Sequence, residues 1–152
     1  MKVFITGKSS FFNKLFRKSI KNVEIIEIKS ITDRNSKEMI FDFNFLSQIS
    51  ENSLIIHSAW NMEEREEQSS RKINVNGSIN FFDSLDEDLR KKFIFISSVG
   101  AHKKAVSIYG KHKYEVEEYI AKNNGLVLKC GLLVDEEDPF SEGFFSNLYK
   151  LA

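Results

Sequence analysis

One cysteine, one proline and seven glycines in 152 residues leave this chain few means of constraint other than packing. The lone Cys130 forms no internal disulfide, so nothing in the sequence requires an oxidising compartment. Charge of a dominant sign is also missing. The 22 basic and 22 acidic residues cancel, and no strong field steers the chain to nucleic acid or anionic lipid. No apolar run approaches the roughly 20 residues that span a bilayer. The opening MKVFITGKSS breaks at Gly7 after a short run, unlike a signal peptide with its long apolar stretch and small-residue cleavage site. The three histidines are scattered, and no Cys-His spacing suggests a metal. The expectation is a cytoplasmic chain with no metal, no membrane and no nucleic-acid partner.

What is present is apolar. A hydrophobic content of 41% with 14 Phe excludes disorder, which needs low hydrophobicity and high net charge. The length suits one domain, residues 1–152, with a proper core. No repeat or linker interrupts it, and apolar runs alternate with helix-like stretches. Val3-Phe4-Ile5 is a short buried-type run ending at Thr6-Gly7. From Phe11 to Ile20, residues Phe12, Leu15, Phe16 and Ile20 form a helical stripe. Strands follow at Val23 to Ile28, Glu38 to Phe43 and Leu54 to Ile56. Gln68 to Leu85 has helical spacing, Phe93 to Ile96 is a continuous strand-like run, and Tyr109 to Asn123 reads as a helix stopped by Asn124-Gly125. Leu126 to Val134 is the last strand, and Phe140 to Leu151 a closing amphipathic helix, its Phe140, Phe144, Phe145 and Leu148 forming a core or dimer-contact face.

Short strands alternating with longer helices give βαβ units and a parallel sheet, wound on both faces by right-handed crossovers. Ligands of such α/β sheets lie at the carboxyl ends of the strands. The residues to interrogate are therefore Thr6-Gly7-Lys8, Ile28 to Ser30, Asp42-Phe43, His57-Ser58-Ala59 and Ser97-Ser98.

These strand ends resemble those of the extended and atypical short-chain dehydrogenase/reductases, the NAD-dependent epimerase/dehydratase group. Thr6-Gly7-Lys8-Ser9-Ser10-Phe11-Phe12-Asn13 stands where that family has TGxxGxxG. Ile55 to Ala59 is similar to its "IHLAA" strand end, and Asn74 to Asn80 to its "NVNGTxN" helix. Phe93 to Val99 resembles the strand with the catalytic Ser, Tyr109-Gly110-Lys111-His112-Lys113 the YxxxK helix, and Leu128 to Gly131 "LRPG". The similarity runs in order from Met1 to about Val134.

The resemblance implies a doubly wound Rossmann-type domain of strand order 3-2-1-4-5-6, lacking most of the substrate lobe, with NADP or NAD as cofactor. It implies that Tyr109 is the acid/base, that Lys113 lowers its pKa and holds the nicotinamide ribose, and that Ser98 polarises the substrate carbonyl. Spacing i,i+4 does place Tyr109 and Lys113 on one helix face, and an adjacent ammonium favours phenolate. Cofactor contacts are expected from Gly7, Ser9, Ser10, Phe11, Phe12, Lys29, Asp42, Phe43, Ser58, Ala59, Trp60, Asn74 and Ser97, besides Tyr109 and Lys113. Trp60 suits a packing role better than a cofactor contact, and Asp42 suits capping the next turn nearly as well as an adenine contact. His57 reads as a neighbour of the site without acid-base duty.

Two departures bear on this reading. Ser10 and Asn13 replace the second and third glycines, which admit the pyrophosphate and allow close helix–strand packing. Ser10 can offer its hydroxyl to a phosphate, whereas Asn13 suggests a helix set further out. At the second strand end Lys29-Ser30 tolerates a 2′-phosphate, while Glu27 keeps NAD open. From Ser98 to Tyr109 there are only 11 residues, fewer than sugar epimerases carry. The implied function is an NAD(P)-dependent reductase, epimerase or dehydratase acting on a nucleotide sugar or small carbonyl, in surface polysaccharide synthesis. The rival is a non-catalytic Rossmann-fold binding or regulatory module. The resemblance also implies a homodimer through the helices at 68–85 and 109–123, with Tyr114, Val116 and Tyr119 available. Gly7-Lys8-Ser9 imitates the end of a P-loop, but Lys2 stands where its first glycine is needed. Glu63 to Glu67 reads as a solvated loop or helix start.

Overall fold

Val3, Phe4 and Ile5 are apolar in succession, as in a strand buried on both faces. The computed structural model, which describes residues 1–33, 35–135 and 137, places them within a parallel sheet. Strand β1 (Lys2–Thr6) pairs with β2 (Glu24–Glu27) on one side and β5 (Ser53–His57) on the other. Beyond β5 lie β6 (Phe93–Ser98) and β7 (Leu126–Cys130), giving the five-strand order β2-β1-β5-β6-β7. The third expected strand is not in this sheet. It forms β4 (Glu38–Phe41), which pairs antiparallel with β3 (Ser30–Asp33) as a separate hairpin. The reason lies in what the buried face of β4 packs against. Phe41 is buried and stacks on Phe81 at 4.3 Å, whereas Ile31 and Ile40, paired across the hairpin, are exposed.

Helices cover both faces. Helix α1 (Phe11–Ser19) lays Phe12 and Phe16, stacked at 5.8 Å, over the apolar face made by Val3, Ile5, Ile56 and Ile96. Its last turn carries Arg17 and Lys18, which suit the negative end of the helix dipole. The opposite face holds Phe4, Ile55, Phe93 and Phe95 beneath the other helices. There, α2 (Glu67–Ser70), a π-helical segment (Arg71–Asn76) and α3 (Gly77–Asp83) follow one another without a break. The short α4 (Glu87–Arg90) precedes β6, and α5 (Ile108–Lys122) joins β6 to β7. Within the Glu63–Glu67 run, Glu66 caps α2 by accepting from the Gln68 and Ser69 amides. Arg71 pairs with Glu115, and Tyr119 donates to Asp83, fastening α5 to its neighbours. Val116 is fully buried in the core, so of the three residues expected to face a partner it cannot do so. The closing helix expected over Phe140 to Leu151 lies outside the described residues.

Candidate active site

Gly7 turns the chain at the end of β1 with φ at +77°, a left-handed conformation that favours glycine. A Cβ there would stand 2.7 Å from the Ala59 nitrogen, so any side chain would force the β1 and β5 ends apart. Ser10 closes the turn and starts the helix: its N–H donates to the Gly7 carbonyl at 2.9 Å, and its hydroxyl caps α1 by accepting from Asn13 N–H at 3.1 Å. The N–H groups of Phe11 and Phe12 open the helix and have no acceptor within it.

Proton counting fixes what Ser10 can offer. The Ser58 hydroxyl donates its one proton to the Thr6 carbonyl at 2.6 Å, so Ser10 donates across the 3.0 Å contact between the two hydroxyls. Its proton is therefore committed to Ser58, not free for a phosphate. Asn13 is fully buried. Its amide nitrogen donates to the Gly7 carbonyl at 3.3 Å, and its oxygen accepts from Arg17 at 2.9 Å. It ties α1 to the turn, where the sequence had suggested a helix held off.

Across the strand ends, β6 delivers Ser97 and Ser98 and α5 delivers Tyr109 and Lys113. Ser107 caps α5 by accepting from Gly110 N–H. Ser98 Oγ accepts from Gly100 N–H at 3.2 Å, and both the Ser98 hydroxyl and the Tyr109 phenol line the same cleft. Burial raises the Tyr109 pKa above its ordinary value, against the lowering effect of Ser98. That direction is opposite to the one expected from Lys113. The Lys113 Nζ instead donates to the Ile96 carbonyl at 2.6 Å, under the ring faces of Trp60 and Phe95. Only 4% of Lys113 is exposed, and this desolvation lowers its pKa to about 7. Ser97 donates to Glu117 at 2.9 Å, and Glu117 pairs with Lys129 at 2.8 Å.

A cleft of about 660 Å³ connects these two ends of the site. Of the residues singled out from sequence, Gly7, Ser9, Ser10, Phe11, Phe12, Ser58, Ala59, Trp60, Ser97, Ser98, Tyr109 and Lys113 all line it. Lys29, Asp42, Phe43 and Asn74 are not among its lining residues. Lys29 is exposed, with its carbonyl accepting from Asp42 N–H. Asp42 caps the 3-10 turn Phe43–Gln48, and Phe43 packs against Phe45 and Phe81. Asn74 acts one step back: it accepts from Asn61 N–H at 2.7 Å and donates to the Asn61 carbonyl at 3.0 Å. Asn61 itself lines the cleft. So do Ile31, Thr32 and Met39 of the hairpin, none of which was singled out from sequence. The polar turn run Asp33 to Lys37 between two short alternating stretches was the available signal.

No protein-family model and no curated protein matches the chain. Solved structures do. A dTDP-4-dehydrorhamnose reductase from Clostridium acetobutylicum aligns with 99% of this chain at a TM-score of 0.63 and 20% identity. One from Bacillus anthracis, in complex with NADP, aligns over 99% at 0.64 and 15%. The Bordetella bronchiseptica enzyme WbmH, in complex with NAD+, aligns over 86% at 0.54 and 15%, covering 55% of its chain. The shared fold is Rossmann-type. This chain spans 59% of the length of the two reductases it matches. Among the described residues, no cluster of three or more His, Cys, Asp or Glu is placed to hold a metal ion, and no helix is long and apolar enough to cross a membrane.

Proposed function

We propose that the chain is an NAD(P)-dependent oxidoreductase or epimerase of the extended short-chain dehydrogenase/reductase kind, acting on a nucleotide-linked sugar or a small carbonyl. The observation that carries this reading is the single cleft running from the Gly7 turn to Ser98, Tyr109 and Lys113. The residues present fit a dinucleotide. Gly7 lets the end of β1 turn tightly against Ala59 beneath the cleft, and the N–H groups of Phe11 and Phe12 at the start of α1 suit the charge of a pyrophosphate. Ser97, Ala59 and Trp60 line the path toward Tyr109. When bound, the nicotinamide exchanges a hydride with the substrate carbon. Tyr109 holds or accepts the proton at the substrate oxygen, and Ser98, which lines the cleft beside it, steadies the charge that develops there. Lys113 serves the ribose and the phenol once its Nζ turns toward them. Ser30 and Thr32 present hydroxyls where a carboxylate would repel a 2′-phosphate, which favours NADP.

Binding to the native state raises melting temperature by mass action. The full chain, titrated with NAD+, NADH, NADP+ and NADPH, is expected to melt higher with at least one form and more so with the NADP pair. No shift with any form refutes the reading.

The rival, a non-catalytic binding module, draws on one observation: the Ser10 proton is committed to Ser58. Ser10→Gly removes that side chain from the pyrophosphate's approach at a cost of a few tenths of a kcal/mol in capping. A dinucleotide site should answer with a larger ligand-induced rise, and a ligand-free scaffold with none.

A further inference from the structure

Lys113 is the buried cation of this site, and its surroundings do not supply a carboxylate. Its Nζ lies 4.2 Å from the Trp60 ring centroid and 4.4 Å from that of Phe95, with the Ile96 carbonyl as hydrogen-bond acceptor. Both ring distances fall well inside the range in which an aromatic face attracts a cation. Trp60 also meets the Tyr109 ring edge-on, with centroids 6.0 Å apart. The indole thus stands at the junction of the lysine, the phenol and the cleft. The titratable groups that act on this position are few. His57 from β5 is buried and uncharged at neutral pH, with its pKa lowered to about 3. Cys130 from β7 is a thiol raised by burial. From α5 come Tyr109, raised, and Glu117, which is engaged by Ser97 and Lys129.

We propose that Trp60 and Phe95 form a seat that holds the Lys113 ammonium away from Tyr109 in the free protein, and that a dinucleotide engages the site by drawing Nζ off the indole face. Trp60 is then a positioning residue: it acts on the chemistry through Lys113. The inference rests on the dinucleotide reading above and adds a step to it. Aligning Lys113 with the ribose and the phenol breaks an existing set of contacts, so the free and loaded states differ in where this one side chain points.

Trp60 is the only tryptophan in the chain, so its emission reports the seat directly. In the full-length protein, excited at 295 nm to select tryptophan, emission should change in a single step near pH 7, where the seated amine gains its proton. Lys113→Met should remove the step while the protein still melts cooperatively. Saturating NADP+ or NAD+, neither of which fluoresces, should remove it from wild type as well. A step equally present in Lys113→Met, or no step at all in wild type, overturns the proposal. So does a step that persists under a dinucleotide shown by melting to be bound, and in that case the dinucleotide reading stands. If no dinucleotide raises the melting temperature, both fall.

Discussion

Thr6 Oγ1 accepts from the N–H groups of Ser58 and Ala59, each at 3.1 Å, so its one proton goes to His57 Nδ1 at 2.8 Å. The imidazole then carries its own proton on Nε2 and donates it to Ser78 at 2.9 Å. This chain of single protons pins the end of β1 to the end of β5 directly beneath the Gly7 turn. His57 is therefore a structural member of the site and stays neutral, its pKa lowered to about 3 chiefly by burial. Between that value and the ordinary 6.5 the unfolded chain binds one more proton than the folded one. The stability that His57 supports is thus complete above pH 6.5 and falls by about 1.4 kcal/mol per unit as pH drops toward 3. His57→Gln keeps a donor and an acceptor without titrating. In urea it should be less stable than wild type at pH 7.5, yet lose about 2 kcal/mol less on moving to pH 5; parallel losses would show that His57 does not titrate on unfolding. Under the proposed function Tyr109 makes the contrasting case, since there its proton is the one transferred. Tyr109→Phe should keep the dinucleotide-induced rise in melting temperature and abolish turnover, and retained turnover would remove it from the acid/base role.

Elements show which sequence signals carried weight. Buried strands β1, β5 and β6 were legible because runs such as Val3-Phe4-Ile5 and Phe93 to Ile96 leave no polar face to expose. The end of α5 was legible because Asn124-Gly125 stops it, and Asn124 does adopt a left-handed φ of 69°; its start at Ile108 is set by the Ser107 cap, one residue before the Tyr109 expected. The β3–β4 hairpin was not legible, since Glu38 to Phe43 has the same alternation whether its partner is β2 or β3. Only the contact of Met39 and Phe41 with the α3 side decides between them. The cofactor roles expected for Lys29, Asp42 and Phe43 depended on that choice, which is why these residues fall outside the cleft. Another element-level contact has a sign that propensity alone would mistake. Gly→Ala inside a helix ordinarily gains about 0.5–1 kcal/mol. At Gly110, however, a Cβ would sit 2.6 Å from the Gly100 carbonyl and 2.9 Å from Ala105. Crowding of that kind costs about 1–3 kcal/mol, and the backbone at Gly100 has little room because its N–H is bonded to Ser98. Gly110→Ala should therefore lower the urea midpoint. A stabilised variant would mean that α5 does not pack this closely against the loop after β6.

At the scale of the whole molecule, net charge near zero conceals two buried bases whose effects on stability occupy different pH ranges. His57 shapes the acid side. Lys113 shapes the neutral-to-alkaline side, because its pKa is lowered from 10.5 to about 7 by burial. Across that window the unfolded chain holds a proton the folded one has released, so stability rises with pH by up to about 1.4 kcal/mol per unit. The contribution is complete above the unfolded value and is lost as pH falls through 7. Opposing groups enter later. Tyr109 and Cys130 have raised pKa values through burial, so they favour the folded state below their unfolded values near 10 and 9 and cease to do so above them. Wild type should consequently be most stable at mildly alkaline pH, near 9, instead of at neutrality. Lys113→Met removes the rising limb while leaving the falling one. Its optimum should move toward neutral pH, and at pH 7 it should be at least as stable as wild type, because the cost of burying the amine has gone. The measurement is a pair of urea midpoint profiles from pH 6 to 10. Superimposable profiles would show that Lys113 is solvated in solution, and the dry lysine seat beside the cleft would have to be abandoned.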